Sequence, residues 1–261
     1  MKRYIVKRLL LAIITLFGVS LIVFVAARLT GDPVLLFAPT TATEEQLQEL
    51  RAEMGLDKSI PVQYAIFVRD ALTGDFGISL RYSQPAMPLA LKRIGPTLEL
   101  VAYSFIIGIV FGVFLGITSA TKPGSVQERA GTTFAMLGLS VPGFWLAVIL
   151  MLVFSVKLHW LPTSGREEAL SRVLPTISVA WVAVAQIMRV TRSAMLEVLG
   201  SDYIKMARIK GLRERVVIWK HALRNALVPV LGISGFLFAM LIGGLALVEE
   251  IFRWPGIGQM L

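Results

Sequence analysis

The residues that could do chemistry cluster in one stretch, Ser201 to Pro229, which holds seven cations: Lys205, Arg208, Lys210, Arg213, Arg215, Lys220 and Arg224. Their chemistry is recognition rather than bond-making. The chain has no cysteine, and its only histidines, His159 and His221, lie far apart, so neither a thiolate nor an imidazole pair is available for a metal. No G-x-x-x-x-G-K-[ST] run supplies a phosphate cradle. Stray ionisable or broken positions inside apolar segments are the other candidates. Glu99 stands near the outer end of one such segment, and an ionisable group at that depth is a functional hypothesis by default; an interfacial carboxylate reaching headgroup water is the favoured alternative. Ser140-Val141-Pro142-Gly143 interrupts another segment, because a proline frees the carbonyl four residues back, here Gly138. That break reads equally as a pathway-lining kink or a packing kink. Gln186 is a polar group within a third segment.

Elements must position these groups. Ser201 and Asp202 are good N-cap residues for a helix running to Lys210, and Gly211 fits its C-cap. A second helix starts near Leu212 and continues toward Pro229, carrying His221, Arg224 and Asn225. In the first helix Tyr203, Met206, Ala207 and Lys210 fall near one face at i, i+3, i+4, i+7. The stretch is a helix–turn–helix. It is either a basic loop that only sets topology or a docking element for a cytoplasmic partner, and the cap, turn glycine and terminal proline together favour docking.

The chain is 56% hydrophobic with only 16% charged residues and a mean hydropathy of +0.73. Such a composition excludes a soluble domain and points to an all-α integral membrane protein. The net charge of +9 does not imply nucleic-acid binding, because the cations sit beside apolar spans as the positive-inside rule requires. Five spans are expected: Leu9 to Ala27, Thr97 to Ala120, Gly131 to Val156, Val173 to Val190 and Leu227 to Val248. Lys2, Arg3, Lys7 and Arg8 place the N-terminus in the cytoplasm. Residues 1–28 form the first region and 29–95 an external subdomain, with a capping box at Thr43 and Gln46. Residues 96–261 form the transmembrane domain, including a cytoplasmic loop over 191–228. Gly108, Gly112 and Gly116 mark a helix packed closely on its neighbours. Glu249, Glu250 and the Trp254-Pro255-Gly256-Ile257-Gly258 turn are expected outside. Five spans leave the C-terminus outside, and Gln259-Met260-Leu261 reads as the approach to a further span, so a truncated chain or a helix supplied from elsewhere is expected.

Taken in order, GDFGISLRYSQP, Pro96-Thr97-Leu98-Glu99-Leu100, SVPGFW from Ser140, WLPTSG from Trp160, TRSAMLEVLGSDYIKMARIKGL with HALRNALVP, and VEEIFRWPGIGQML resemble type I ABC importer permeases of the dipeptide/oligopeptide/nickel family. The resemblance covers essentially the whole chain. It implies six spans, one more than is visible. It also implies that the basic stretch is the family's coupling loop, with Ala207 and Gly211 matching the motif core and Lys205 where the general pattern has glutamate. The implied partners are a second homologous permease, two cytoplasmic ATP-binding subunits that hold ATP and Mg, an external solute-binding protein and the lipid bilayer, with no cofactor in this chain. The implied cargo is a small peptide or a related solute such as a nickel chelate or glutathione. A self-contained channel or secondary transporter, which would show inverted repeats and midplane charges, and a truncated scaffold are the alternatives.

Overall fold

Two helices approach so closely that glycine alone fits between them, and the rest of the membrane part is arranged around that pair. The computed structural model describes residues 2–31, 34, 38, 42–79 and 81–260. Leu80, within the GDFGISLRYSQP run, and the terminal Leu261 lie outside the described residues. The chain divides into two compact units, residues 1–90 and 91–261.

The first unit holds α1 (Lys2–Thr30), α2 (Glu44–Glu53) and α3 (Ile60–Leu72). Thr43 and Gln46 form the expected reciprocal capping box. Proline occupies the first turn of α3, where its missing N–H has no helical partner to lose. Phe24, Tyr64 and Phe67 pack as an aromatic cluster with centroids 5.5–6.2 Å apart. Ser20 and Tyr64 share a 2.7 Å hydroxyl hydrogen bond. Pro88, expected in an extended passage, lies instead in the first turn of α4 (Ala86–Thr121), which begins about a third of its length before the expected span.

The second unit is built on α7 (Val173–Leu199), the most buried helix. A Cβ placed on Gly108 would lie 2.7 Å from Ala183 Cβ, one on Gly112 2.8 Å from Ile187 Cβ, and one on Gly116 2.5 Å from Thr191 Cβ. Lipid supplies no hydrophobic drive for helix pairing, so this backbone proximity and its dispersion contacts hold α4 to α7. Gly131 and Gly138 bring α5 (Val126–Ser140) against Met188 and Ala185 in the same way.

The expected third span is not one bent helix. It is two helices, α5 and α6 (Gly143–Lys157), at 101° to each other. Val141 is extended (φ −88°, ψ 116°), as a residue before proline prefers, and Pro142 (φ −62°, ψ 137°) stands at the N-cap of α6. The last seven residues of α6, Met151–Lys157, wind as a π-helix.

The expected fifth span also differs. After α8 (Asp202–Ile209), helix α9 runs unbroken from Glu214 to Gly244, with Val217–Ala222 in π form and Pro229 inside it. The second helix of the basic stretch therefore does not end at Pro229. The helix ends at Gly244, and α10 (Ala246–Ile251) is a separate turn of chain. Among the described residues four helices are long and apolar enough to cross a membrane, or five if the bent α5–α6 pair counts as one.

Three apolar clusters lie along α7: one with Leu100, Leu174, Phe252 and Trp254, a central one with Ile187, Val230 and Leu237, and an inner one with Ile117, Met195, Ile204 and Val217. Gly116→Val should force α4 away from Thr191 and cost about 1–3 kcal/mol, the usual range for overpacking. The check is the thermal midpoint of the detergent-solubilised protein, expected to fall by several degrees; an unchanged midpoint would mean that the helices do not approach this closely.

Candidate functional site

The basic stretch folds as a helix, a turn and a second helix. Ser201 occupies the N-cap of α8 (φ −71°, ψ 153°), but its hydroxyl turns back to the Val198 carbonyl instead of capping. Lys210 ends the helix and Gly211 follows at φ +78°, a conformation cheap only for glycine. Asp202 pairs with Lys205 at 2.8 Å, and Arg208 with Glu214 at 2.7 Å. The latter hydrogen bond, more than the charge itself, holds the Arg208 guanidinium above its already high ordinary range.

The four residues expected to share a face do not share one environment. Ala207 is buried, as is Ile204, which the spacing argument passed over. Tyr203, Met206 and Lys210 point outward. The correction follows from α8 having two apolar faces. Ile204 and Ala207 (i, i+3) sit in the inner cluster against Ile117, Ala120, Met195, Val217 and Ala222. Tyr203, Met206 and Ile209 lie on the open side, and Leu212 follows the turn, also exposed; Ile209 is 77% exposed. An eight-residue helix is too short to hold its shape alone, so the buried pair fixes it to the inner ends of α4, α7 and α9. Asn225 Nδ2 adds a hydrogen bond of 2.7 Å to Tyr203 Oη, linking α8 to α9. His221 is half-buried in the π segment, while Arg224 and Pro229 are exposed.

The pathway candidates separate. Gln186 and Gly143 line one apolar hollow of about 210 Å³ between α6, α7 and α9, together with Ser178, Met240 and Leu241. Ser140 and Pro142 are exposed at the break but do not line it. Glu99 does not line this hollow. Its carboxylate is paired with Arg166 and, at 3.0 Å, with Arg172, and its side chain is 17% exposed.

Glu249, expected on the outer side of the membrane beside a turn, is enclosed by the protein, which the sequence does not announce. Glu249 is fully buried. Its carboxylate accepts a hydrogen bond of 2.7 Å from the Thr97 hydroxyl and one of 2.6 Å from the Gly258 amide. The Ile257 amide donates to Thr97 Oγ1 at 2.9 Å, and Trp254 Nε1 donates to the Pro96 carbonyl at 2.9 Å. The turn after α10 is thus fastened to α4 across more than 150 residues of sequence. A second missed contact, the Glu128–Arg192 ion pair, ties the start of α5 to α7.

Comparison with known proteins bears on this arrangement. Residues 94–261 match the model of the binding-protein-dependent transport system inner membrane component, and residues 1–112 match that of the N-terminal part of such membrane components. The glutathione transport system permease protein GsiC of Pectobacterium atrosepticum is 40% identical over 262 residues, covering 100% of this chain and 86% of that protein. GsiC of Escherichia coli strain K12 is 38% identical with the same coverage. Among solved structures, an inward-facing MetNI methionine ABC transporter superposes with a TM-score of 0.55 at 21% identity, over 66% of this chain and 78% of that one. An amino acid ABC transporter crystallised with histidines gives 0.52 at 14% identity, over 66% and 75%. These two share the fold.

The buried carboxylate yields a prediction. Glu249→Ala leaves the Gly258 amide without its acceptor, at about 1–3 kcal/mol, and the Thr97 hydroxyl with only the Arg93 carbonyl at 3.4 Å, whereas Glu249→Gln keeps an acceptor in place. Thermal unfolding of the purified complex should show a large drop for the alanine variant and a small one for glutamine. Equal midpoints for alanine and wild type would show that the turn is not held there.

Proposed function

This chain belongs to the inner-membrane permeases of binding-protein-dependent ABC importers, in the peptide/nickel branch, and we propose that α8 is the element through which ATP hydrolysis drives it. The chain is a multi-pass membrane protein and the permease subunit of an ATP-driven importer. The two-sided α8 carries the proposal. Its open side, Tyr203, Met206 and Ile209, with Leu212 beyond the turn, is the surface that docks on a cytoplasmic ATPase subunit. Its closed side, Ile204 and Ala207, passes the displacement to the inner ends of α4, α7 and α9. Close-packed interiors transmit such shifts as rigid-body movements.

The rest of the assembly follows from this reading. The N-terminus is cytoplasmic, since Lys2, Arg3, Lys7 and Arg8 precede the first span. Residues 1–28 are its first span and leading residues, 29–95 the external subdomain, and 96–261 the transmembrane domain. A second homologous permease completes the pathway. Two ATPase subunits bind ATP and Mg, and this chain holds no cofactor and catalyses no reaction. A solute-binding protein delivers cargo from outside. Relatives at 38–40% identity over the whole chain are glutathione permeases, which favours a small peptide, glutathione foremost. The hollow beside Gln186 and Gly143 lies on its route.

Two variants test the coupling role in proteoliposomes holding the full importer. Met206→Asp places a charge on the docking side and should lower the ATPase retained on purification by about tenfold or more, as loss of a buried contact with introduction of an unpaired charge would, while the second permease stays bound. Gly211→Val strains the turn by about 1–3 kcal/mol and should leave ATP hydrolysis but reduce uptake of labelled glutathione. Normal ATPase retention in the first and normal uptake in the second would contradict the coupling role. Uptake of nickel or longer peptides without glutathione would contradict the cargo.

A further inference from the structure

The cations of the basic stretch fall into two groups. The two within α8 are neutralised, Lys205 by Asp202 and Arg208 by Glu214, while Lys210 and Arg213 at the turn make no ion pair among the described residues. Arg215, Lys220 and Arg224 on α9 make no ion pair among the described residues. All three are exposed, and Trp219 beside them is 47% exposed. The cations within the helix expected to meet a protein are thus paired, and three unpaired ones follow on the next helix.

The helix geometry groups two of them further. Lys220 and Arg224 stand four residues apart on the unbroken helix, so their side chains fall on one side of it, one turn apart.

The level along the helix is also defined. Ala226 to Gly244 contains no charged residue, and at about 1.5 Å per residue it spans a hydrocarbon core of ~30 Å. Arg224 then sits ~3 Å and Lys220 ~9 Å beyond that core, in and at the edge of a headgroup layer roughly 5–8 Å thick. Indole rings favour the same layer. We propose that Lys220 and Arg224, with Trp219 beside them, form a binding surface for the phosphodiester headgroup of an anionic phospholipid of the cytoplasmic leaflet. Charge complementarity selects the lipid: two unpaired cations, Arg224 and Lys220, stand in and at the edge of the headgroup layer, whereas the two cations within α8, Lys205 and Arg208, are both paired. The inference rests on the cytoplasmic placement given above only for naming the leaflet.

The test uses the whole importer, purified with its co-expressed subunits, exchanged into a symmetric equimolar mixture of phosphatidylglycerol and phosphatidylcholine, and read by native mass spectrometry of retained lipid. The wild type should retain phosphatidylglycerol preferentially. The double variant Lys220→Gln/Arg224→Gln should lose that preference by about tenfold or more, given what each cation contributes near an anionic surface. The charge-matched control Lys122→Gln/Arg129→Gln should keep it, and so should the charge-preserving exchange Lys220→Arg/Arg224→Lys. An unchanged preference in the double variant overturns the proposal. So does release of the ATPase subunits from that variant, because the cations would then serve the protein partner. If the wild type itself carries no ATPase, the coupling reading fails while the lipid result stands on its own.

Discussion

Everything mechanical in this chain depends on the burial of Ile204 and Ala207. They are the buried contacts by which a helix of eight residues, too short to be stable alone, is held against the membrane part. Burying an isoleucine side chain contributes about 2–3 kcal/mol, comparable with the cost of ordering the loop's backbone over one or two residues. The Tyr203–Asn225 hydrogen bond and the Arg208–Glu214 pair add orientation more than energy, since both are exposed. A push on the open side has no soft element to absorb it before it reaches Ile117 on α4, Met195 on α7 and Val217 on α9.

What it reaches is a pair of helices that cannot slide independently. The glycines of α4 let Ala183, Ile187 and Thr191 of α7 come within backbone contact distance. Any tilt of α7 therefore carries α4 with it. The far end of α4 is fastened in a different way, through Thr97, Glu249 and the turn from Trp254 to Gly258. The inner seat of α8 and the outer turn thus act on the same two helices from opposite ends. Between them the break at Val141–Pro142 gives α5 and α6 a joint where helical hydrogen bonding is interrupted, beside the hollow that contains Gln186.

Features with local causes were legible in the sequence. The capping box at Thr43, the turn glycine at 211 and the glycine stripe of α4 each follow from a few adjacent residues and a fixed period. The misreadings share a different origin. Pro229 reads as a boundary, yet the helix is held through it by the buried contacts of Ala226 and Val230, which offset its missing N–H. The π segment at 217–222 shifts the register that an α-helical wheel assumes. The burial of Glu249 is hidden because the residue is charged and beside a turn. Its partner Thr97 is 152 residues away, and no local pattern announces that meeting. Tyr203 and Met206 were grouped with Ala207 because α8 is apolar on two sides, and spacing cannot say which side a short helix buries.

The central claim is that one side of α8 meets an ATPase and the other does not. The chain has no cysteine of its own, so single cysteines can be placed at 203, 204, 206, 207 and 209 and tested for cross-linking to the ATPase subunits in membranes holding the intact importer. Cross-links from 203, 206 and 209, with little from 204 and 207, are the expected pattern. Equal cross-linking around the helix, or none at any position in a complex that transports, would contradict it.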